Sequence, residues 1–284
     1  MIPQTPPIVD ELINMALAED LGNGDITTRL CVPEDAMANG MVIAKESLIV
    51  SGIDVFIEIM KKIDNSIQVT LETEEGKTVK KGEKIAIVKG KASSLLMAER
   101  VALNYLQRLC GTATLTKKYI DASGVSASKV RLADTRKTTP GMRYLERRAV
   151  ISGGGFNHRV DLGGGILIKE NHIEAAGSLE KAIEQCKKYG SHPLKIEIEV
   201  KNRDELLRAL DAGADIVMLD NMTPAEVKEC INLAEGRAIL EASGGINLDT
   251  VHGFAQTGVD VISVGAFTHS APCCDISFII ELIK

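Results

Sequence analysis

The sequence has no tryptophan and few aromatic residues of any kind, which make up 3% of its 284 residues. Because single-stranded nucleic acid is bound by basic residues interleaved with aromatic ones, this scarcity argues against a nucleic-acid-binding protein. A formal net charge of −6 points the same way, since an acidic chain has no overall attraction to a polyanion. The sequence therefore predicts no nucleic-acid partner.

Long hydrophobic runs are also missing. No apolar run approaches the roughly 20 residues that a membrane-spanning helix needs. The first residues, MIPQTPPIVDELINMALAED, lack the basic segment and apolar segment of a secretory signal. We therefore expect a cytoplasmic protein with no membrane partner.

The six cysteines are scattered, form no C-x-x-C pair and do not stand at zinc-ligand spacing with histidine. This distribution predicts reduced cysteines that mostly pack in the interior. The adjacent Cys273 and Cys274 leave two interpretations open, a redox or metal pair and an ordinary loop near the C-terminus.

The first part of the chain, from Ile8 to Gly111, mixes helix and strand signals. With 45% hydrophobic residues, the chain can bury a core as one large domain or two unequal ones. Apolar residues at helical spacing predict a helix from Ile8 to Leu17, ended by the glycines at 22 and 24. Alternating apolar residues then predict strands, and the helical period of residues 93–119 links the two halves.

From Gly111 to His269, short apolar strands alternate with amphipathic helical stretches. The strand-like segments are KVRLAD, GILIK, KIEIEV, DIVMLD, AILEAS and DVISVGA. Such alternation predicts a parallel sheet, and near-continuous apolar strands favour a β/α barrel. The short strand-helix unit fits an incomplete barrel, and a doubly wound open sheet is the alternative.

Polar residues stand where these strands end. They are Lys169, Glu199, Asp220, Glu241 with Ser243, and Gly265. In a β/α barrel these ends ring one mouth, which is where active sites form. The alternative, that each residue only caps a helix or solvates a strand end, would have to apply to five strands in succession.

The stretch from Lys129 to His172 is both basic and glycine-rich. It carries nine Lys or Arg residues against four acids, with glycine triplets at 153–155 and 163–165. Arg holds carboxylates and phosphates with two hydrogen bonds, and glycine lets backbone N–H groups approach anions closely. This pattern indicates a site for a small polyanion, with His158 and His172 as further donors. For Arg143, Arg147 and Arg148, a solvated helix face is an equally good interpretation.

Two further features suit a phosphorylated sugar. The turns at Ser243–Gly245 and Gly265–Ala266 follow late strands, where backbone N–H groups commonly bind a phosphate monoester. Simple loop geometry is the competing explanation. The acidic residues Glu199 and Asp220 are suited to Mg²⁺ or ribose hydroxyls.

The motifs together are similar to those of the quinolinate phosphoribosyltransferase family, in order and over essentially the whole chain. They are EDLGNGDITT (19–28), ERVALNYLQRLCGTAT (99–114), DTRKTTPGMRYLERRAV (134–150), GGGFNHR (153–159), LIKENH (167–172), IEIEV (196–200), VMLDN (217–221), EASGGI (241–246) and ISVGAFTHS (262–270). The pair T-R-K-T-T-P-G and G-G-G-x-N-H-R, followed by L-I-K-x-N-H, is highly specific.

The resemblance implies an α/β fold, with an N-terminal α/β sandwich (residues 1–111, joined by a C-terminal helix at 270–284) and an incomplete β/α barrel (112–269). It implies a Mg²⁺-dependent reaction of quinolinate with phosphoribosyl pyrophosphate, giving nicotinate mononucleotide, pyrophosphate and CO₂ on the route to NAD. It also implies a homodimer, in which Arg100 reaches the neighbour's site.

The site residues that the resemblance implies fall into three groups. Quinolinate and nearby phosphates would contact Arg136, Lys137, His158, Arg159 and Lys169. Ribose and Mg²⁺ would face Glu199 and Asp220, and the 5′-phosphate would contact Ser243, Gly244, Gly245 and Gly265. Lys137, Lys169, Glu199 and Asp220 are the residues expected to take part in catalysis.

Two departures from the family pattern concern the loop at Leu162–Gly164, which lacks a usual Asp, and Glu170–His172, which replaces D-N-H. Neither removes a cationic residue. Two alternatives stay open: a related enzyme of the molybdenum-operon type acting on another base, and a non-catalytic protein that binds small anions.

Overall fold

The computed structural model describes residues 6–124 and 129–283, which form two packed units. Of these residues, unit 1 comprises 6–117, 139–154 and 270–283, and unit 2 comprises 118–124, 129–138 and 155–269. No helix in these ranges combines the length and apolar character that crossing a membrane requires.

The elements follow in chain order. The first part contains α1 (Pro7–Leu21), α2 (Ile26–Cys31), β1 (Met37–Ala44), β2 (Leu48–Ile49), α3 (Ile53–Ile63), β3 (Gln68–Leu71), β4 (Thr78–Val79), β5 (Lys84–Lys91) and α4 (Ala92–Ser123). The second part contains β6 (Arg131–Ala133), α5 (Arg143–Ser152), β7 (Ile166–Ile168), α6 (Glu170–Ala176), α7 (Leu179–Tyr189), β8 (Ile196–Val200), α8 (Arg203–Ala212), β9 (Ile216–Asp220), α9 (Pro224–Ala234), β10 (Ile239–Ser243), α10 (Val251–Ala255), β11 (Val261–Ser263), α11 (Ala266–His269) and β12 (Ile276–Leu282).

Unit 1 is an α/β sandwich built on an antiparallel sheet with the strand order β12-β1-β5-β3. Alternate residues of β1 are buried, as expected for a strand with one face on a core. Helices α1, α3 and α4 contribute to that core through residues such as Ile13, Ile59 and Leu106. The predicted first helix is confirmed, and it ends at Gly22, whose φ is +47°.

The C-terminal segment is a strand, so the helix expected at 270–284 is wrong. β12 pairs antiparallel with β1, from Ala38 opposite Leu282 to Ala44 opposite Ile276. Its sequence, ISFIIEL, is rich in β-branched and aromatic residues, which favour a pleated surface. So short an apolar run fits either element by its periodicity, and the free edge of β1 decides in favour of a strand.

Unit 2 is an incomplete β/α barrel. Its six parallel strands have the order β7-β8-β9-β10-β11-β6. From β7 to β11, strands that follow each other in the chain are neighbours in the sheet. β11 then pairs with β6, the first strand of the unit. The order does not reverse, as it would in a doubly wound sheet. Among the described residues no ladder joins β6 to β7, where a single bridge between Ala133 and Phe156 lies instead. The predicted fold class is confirmed.

The unit boundaries differ from the predicted ones in two places. Residues 112–117 belong to unit 1, and the unit boundary falls at residue 118, within α4. Residues 139–154, which include α5, also pack in unit 1, where Leu145 and Ala149 join the core. Arg148 of α5 forms an ion pair within this unit, since its Nη2 lies 2.7 Å from Asp54 Oδ2.

All six cysteines are free thiols. Cys110, Cys230 and Cys274 are buried, as predicted, whereas Cys31 and Cys273 are exposed. Cys273 and Cys274 lie in the loop before β12, where the Cys274 thiol contacts Thr114 Oγ1 at 3.6 Å. The loop interpretation of this pair is therefore the one that the structure favours.

Candidate active site

A cavity of about 560 Å³ opens at the carboxyl ends of the barrel strands, entirely within unit 2. We call it the upper cavity. Ten of the twelve predicted substrate-binding residues line it: Arg136, Lys137, His158, Arg159, Lys169, Glu199, Asp220, Ser243, Gly244 and Gly245. The structure thus brings together residues that are up to 109 positions apart in the sequence.

The alternation of the strands explains which side chains reach this cavity. In β8 the apolar residues Ile196, Ile198 and Val200 are all buried, while the intervening glutamates belong to the opposite face. Because side chains alternate along a strand, Glu197 and Glu199 both point to the interior of the barrel. The same rule places Asp220 on β9 and Glu241 on β10 in the interior, so four carboxylates from three neighbouring strands face it.

His158 and Arg159 are fixed to the end of β6 by a buried aspartate. Asp134 is fully buried, and its Oδ1 accepts a hydrogen bond of 2.7 Å from His158 N. The backbone of the same segment pairs with β6 through Phe156 N and Leu132 O at 2.8 Å. These bonds hold the GGGFNHR segment beside the strand ends although it lies outside any regular element.

The glycine loop that departs from the family pattern supports Arg159. The guanidinium Nη1 donates to Gly165 O at 3.0 Å, and Gly163 N donates to Asp161 Oδ1 at 2.9 Å. Burial, and then the neighbouring Arg136, lower the pKa of Arg159. Two cations held this close together favour an anionic ligand between them.

Arg136 and Lys137 follow β6 at the rim of the cavity. The Nε of Arg136 is buried and donates no hydrogen bond to any described residue, so it is available to a bound anion. The backbone carbonyl of Lys137 accepts a 2.8 Å hydrogen bond from the buried Thr268 hydroxyl. Gly265 lies next to the cavity, because a Cβ there would be 3.2 Å from Lys137 Cδ.

The two predicted acidic residues lie on neighbouring strands. Glu199 Oε2 is 2.6 Å from Lys169 Nζ, and Asp220 Oδ2 accepts a 2.7 Å hydrogen bond from the Asn221 amide. Burial first, and then the charge of Glu199, raise the pKa of Asp220. Two carboxylates that repel each other in this way would be stabilised by a cation.

The turn after β10 depends on glycine. Gly244 has φ +98° and Gly245 has φ +61°, a backbone conformation that other residues rarely adopt. A Cβ at Gly244 would also lie 2.3 Å from Oδ1 of Asn221, the residue that follows β9, so there is no space for a side chain at this position. The turn therefore presents bare backbone to the cavity.

Replacing Gly244 with alanine is expected to lower the free energy of unfolding by about 2–3 kcal/mol, from both the positive φ and the contact with Asn221. Gly258 is the matched control, since its φ is +88° but no atom lies within 4 Å of a Cβ there. Gly258→Ala should cost about 1 kcal/mol. Urea denaturation of both variants measures the difference, and equal costs would contradict the close contact at Gly244.

A cluster of two buried glutamates and the half-buried His158 forms the floor of the cavity. His158 Nε2 lies 3.2 Å from Glu197 Oε2 and 3.6 Å from Glu241 Oε2. His158 Nδ1 accepts the Arg159 N–H at 2.7 Å, so a proton lies on Nε2, facing the two carboxylates. In the structure the three side chains therefore interact through this proton, although their ligand atoms also lie within 4.8 Å of one another. The bond to Glu197 raises the pKa of His158, against the opposing effect of burial.

Two predicted residues lie elsewhere. Arg100 stands on α4 in unit 1, where 57% of its side chain is exposed and Glu99 Oε1 is 3.7 Å away. His172 does not line the cavity, because its Nδ1 accepts the Lys169 N–H at 2.9 Å at the start of α6. Its role is to fix the helix start next to Lys169.

Sequence reasoning missed several residues of the site. Those that line the cavity without having been predicted there include Thr135, Asn221 and Ser263. Glu197 was missed too, although the alternation in IEIEV places it on the same face as Glu199. Asp134 and Thr268 hydrogen-bond to the backbone of segments that are distant in the sequence, and no local sequence pattern identifies residues with this role.

Two family models match the chain, one on each side of residue 111. Residues 25–110 match the model of the quinolinate phosphoribosyl transferase N-terminal domain, and residues 112–279 match that of its C-terminal domain. A probable nicotinate-nucleotide pyrophosphorylase [carboxylating] of Bacillus subtilis is 39% identical over 96% of this chain and 93% of its own. A mitochondrial quinolinate phosphoribosyltransferase [decarboxylating] of Nicotiana tabacum is 39% identical over 98% of this chain and 84% of its own.

Solved structures agree with these matches. The nicotinate-nucleotide pyrophosphorylase of Francisella tularensis superposes with a TM-score of 0.93 at 41% identity, covering 99% of both chains. NadC of Streptococcus pyogenes gives a TM-score of 0.95 at 35% identity over the full length of both chains. With matching family models over most of its length and relatives well above 30% identity, the chain belongs to the quinolinate phosphoribosyltransferase family of enzymes.

Proposed function

We propose that the enzyme transfers the phosphoribosyl group of phosphoribosyl pyrophosphate to the ring nitrogen of quinolinate and releases CO₂. The products are nicotinate mononucleotide and pyrophosphate, on the route to NAD. The observation that carries this proposal is the convergence of Arg136, Arg159 and Lys169 on one cavity that also contains an acidic pair. A pyridine with two carboxylates needs several cations, and an activated sugar needs carboxylates nearby.

The cationic part of the upper cavity would bind quinolinate. Arg136 and Arg159 can each hold a carboxylate through two parallel hydrogen bonds, and Lys169 adds a compact charge. His158 offers a ring edge between these groups and the acidic floor. Lys137 stands at the rim, where it can meet the phosphates of the second substrate.

The glycine turns would bind the 5′-phosphate of the sugar. Ser243 offers a hydroxyl, and Gly244 and Gly245 leave backbone N–H groups unobstructed by side chains. Gly265 lies at the start of α11 beside Lys137, so a phosphate there would meet both backbone and a positive charge.

Glu199 and Asp220 fit Mg²⁺. Their donors are carboxylate oxygens, the ligands that this ion prefers, and burial and then the charge of Glu199 raise the pKa of Asp220, an effect that a bound cation would offset. When bound, the ion would neutralise charge on the departing pyrophosphate. Lys169, paired with Glu199, provides positive charge beside the same carboxylates.

The residues suffice for the chemistry without a nucleophile. The sugar carbon gains positive charge as pyrophosphate leaves, and Glu199 and Asp220 can stabilise that charge. Once the ring nitrogen carries the ribosyl group, its positive charge stabilises the electron pair that stays on the adjacent ring carbon when the carboxylate departs as CO₂. Binding and orientation by the cationic residues therefore bring much of the rate enhancement.

Product analysis with both substrates, with and without Mg²⁺, tests the proposal. We expect nicotinate mononucleotide and CO₂ in equal amounts, with loss of activity after chelation. Turnover of another base without CO₂ would favour the related enzyme of the molybdenum-operon type. Binding of phosphoribosyl pyrophosphate without any product would favour a non-catalytic protein.

We also propose a homodimer in which Arg100 completes the site of the partner subunit. The support is the exposed position of Arg100 on α4, with one long contact to Glu99, together with the family resemblance. The cytoplasmic location expected from the sequence stays a prediction, which cell fractionation tests.

Mixing two inactive variants tests the role of Arg100. Arg100→Ala and Asp220→Asn should each have little activity, but unfolding and refolding them together should restore about a quarter of the wild-type value. Random pairing makes half of the dimers mixed, and each mixed dimer has one intact site. Recovery of no activity from the mixture, in a preparation shown to be dimeric by light scattering, would contradict an Arg100 acting across subunits.

A further inference from the structure

The floor of the upper cavity contains a polar atom that the fold leaves without a partner. Oε1 of Glu241 is buried and accepts no hydrogen bond of normal geometry from any described residue, and only 3% of Glu241 is exposed. The nearby Ser263 hydroxyl, which interacts with this carboxyl in addition to the charged neighbours, also lacks such a bond to any described residue. The other carboxyl oxygen of Glu241, Oε2, lies 3.6 Å from His158 Nε2. A buried polar atom in this state is costly unless something meets it, so a ligand in the cavity is the natural partner.

Glu241 also faces a second cavity. This lower cavity, of about 450 Å³, lies at the amino ends of the strands, since residues that begin strands, such as Arg131, Ile166 and Val261, line it. The two cavities share three residues, His158, Arg159 and Glu241. Glu241 therefore stands in the layer that separates the substrate side of the barrel from its opposite mouth.

The reaction proposed above requires a group in this position. Loss of CO₂ leaves an electron pair on the ring carbon next to the ribosylated nitrogen, and that carbon must gain a proton. The cationic residues that would bind the substrate, Arg136 and Lys169, are poor proton donors for this purpose, since they are needed in their charged form to hold carboxylates. A neutral carboxylic acid at the floor of the upper cavity could donate the proton.

We propose that Glu241 is the acid that donates this proton. The bond between the ring carbon and the 2-carboxylate breaks, CO₂ leaves, and the electron pair stays on the carbon. The proton of Glu241 then bonds to that carbon, and Glu241 becomes a carboxylate. A proton from solvent reaches Glu241 through the lower cavity and restores the acid while the product leaves from the upper one. The inference rests on the proposed function.

The surroundings of Glu241 favour its protonated form. Burial first, and then the charge of Glu197, raise its pKa to about 7, whereas His158, the Ser263 hydroxyl and Lys169 oppose this shift. A carboxylic acid with a pKa near neutrality is well suited to proton transfer. Turnover should therefore decline as pH rises above about 7, because the carboxylate form cannot donate.

The variant Glu241→Gln separates proton donation from other roles. Glutamine has the same shape and can still form hydrogen bonds, but it cannot transfer a proton. We expect quinolinate binding and the first-turnover burst of pyrophosphate to stay within threefold of wild type. Nicotinate mononucleotide formation should fall about 100-fold or more, a typical loss for a general acid. Quenched samples should then contain the ribosylated dicarboxylate, which mass spectrometry detects.

Two further variants keep the test decisive. Glu241→Asp retains an acid one methylene shorter and should recover part of the lost rate, and the exposed Glu184→Gln is a control that should behave as wild type. Nicotinate mononucleotide formation by Glu241→Gln within threefold of wild type would overturn the proposal. Equal loss of pyrophosphate release and decarboxylation would overturn it too, since it would indicate a structural role. A wild-type protein that forms no nicotinate mononucleotide would instead refute the proposed function.

Discussion

Replacing Arg136 with alanine is expected to raise the Michaelis constant for quinolinate by about 10- to 150-fold, with a smaller change in kcat. The physical reason is the loss of charge-assisted hydrogen bonds, which contribute about 1.5–3 kcal/mol when one partner is ionised. The buried Nε of Arg136 has no partner among the described residues, so its contacts are free to form with substrate. Lys169→Ala should behave similarly, because Lys169 lines the same cavity.

Steady-state kinetics with quinolinate varied at saturating phosphoribosyl pyrophosphate measure this effect. Arg237→Ala is the matched control, since Arg237 lies on the surface of the same unit and pairs with the exposed Asp211 at 2.6 Å. Surface pairs of this kind contribute about 0–1 kcal/mol, so its kinetics should be unchanged. Near-wild-type Michaelis constants and turnover in both Arg136→Ala and Lys169→Ala would contradict the assignment of quinolinate to this cavity.

Replacing Asp220 with asparagine is expected to lower kcat by about 100- to 1,000-fold, the range seen when one preorganised electrostatic group is removed from a dry site. The change removes the negative charge while keeping the shape, so the fold should persist. We expect the Michaelis constant for quinolinate to stay within a few-fold of the wild-type value. The Mg²⁺ concentration that gives the half-maximal rate should rise. Assays across a Mg²⁺ series measure both, with the exposed Asp211→Asn as control.

The pH dependence adds a check on Asp220. Because burial and Glu199 raise its pKa, the active carboxylate form is lost as pH falls through a value above the usual range of an aspartate. As the pH is lowered, the kcat of the wild-type enzyme should therefore begin to fall at a higher pH than it would with an aspartate of ordinary pKa. A kcat for Asp220→Asn equal to wild type would show that this carboxylate has no part in catalysis.

Most of the barrel could be predicted because its signals are local. Six apolar segments separated by amphipathic stretches specify parallel strands, and the polar residue at each strand end indicates the mouth. The helix predicted for the C-terminal segment was wrong because an apolar run of seven residues fits a helix or a strand. The strand β12 forms by pairing with β1, whose residues lie more than 230 positions away. The assignment of residues 139–154 to unit 1 could not be predicted for the same reason, because it depends on long-range packing of α5 against the core of that unit.

The site was predictable where a residue's own chemistry reveals it. Arg136, Lys137 and Lys169 stand out as cations at strand ends, and alternation within IEIEV would have revealed Glu197 beside Glu199. Asp134 and Thr268 could not be found this way, because each acts through a hydrogen bond to the backbone of a distant segment. The role proposed for Arg100 rests on the family resemblance, since an exposed helix arginine has no distinguishing pattern.

Equilibrium binding of quinolinate tests the central claim most directly. Titration calorimetry of the wild-type protein should show one quinolinate per chain, bound at least tenfold more tightly than nicotinate, which lacks the second carboxylate. This preference should disappear in Arg136→Ala and in Lys169→Ala, since both residues line the upper cavity. Undetectable quinolinate binding, or a preference that survives in both variants, would show that these cations do not hold a dicarboxylate.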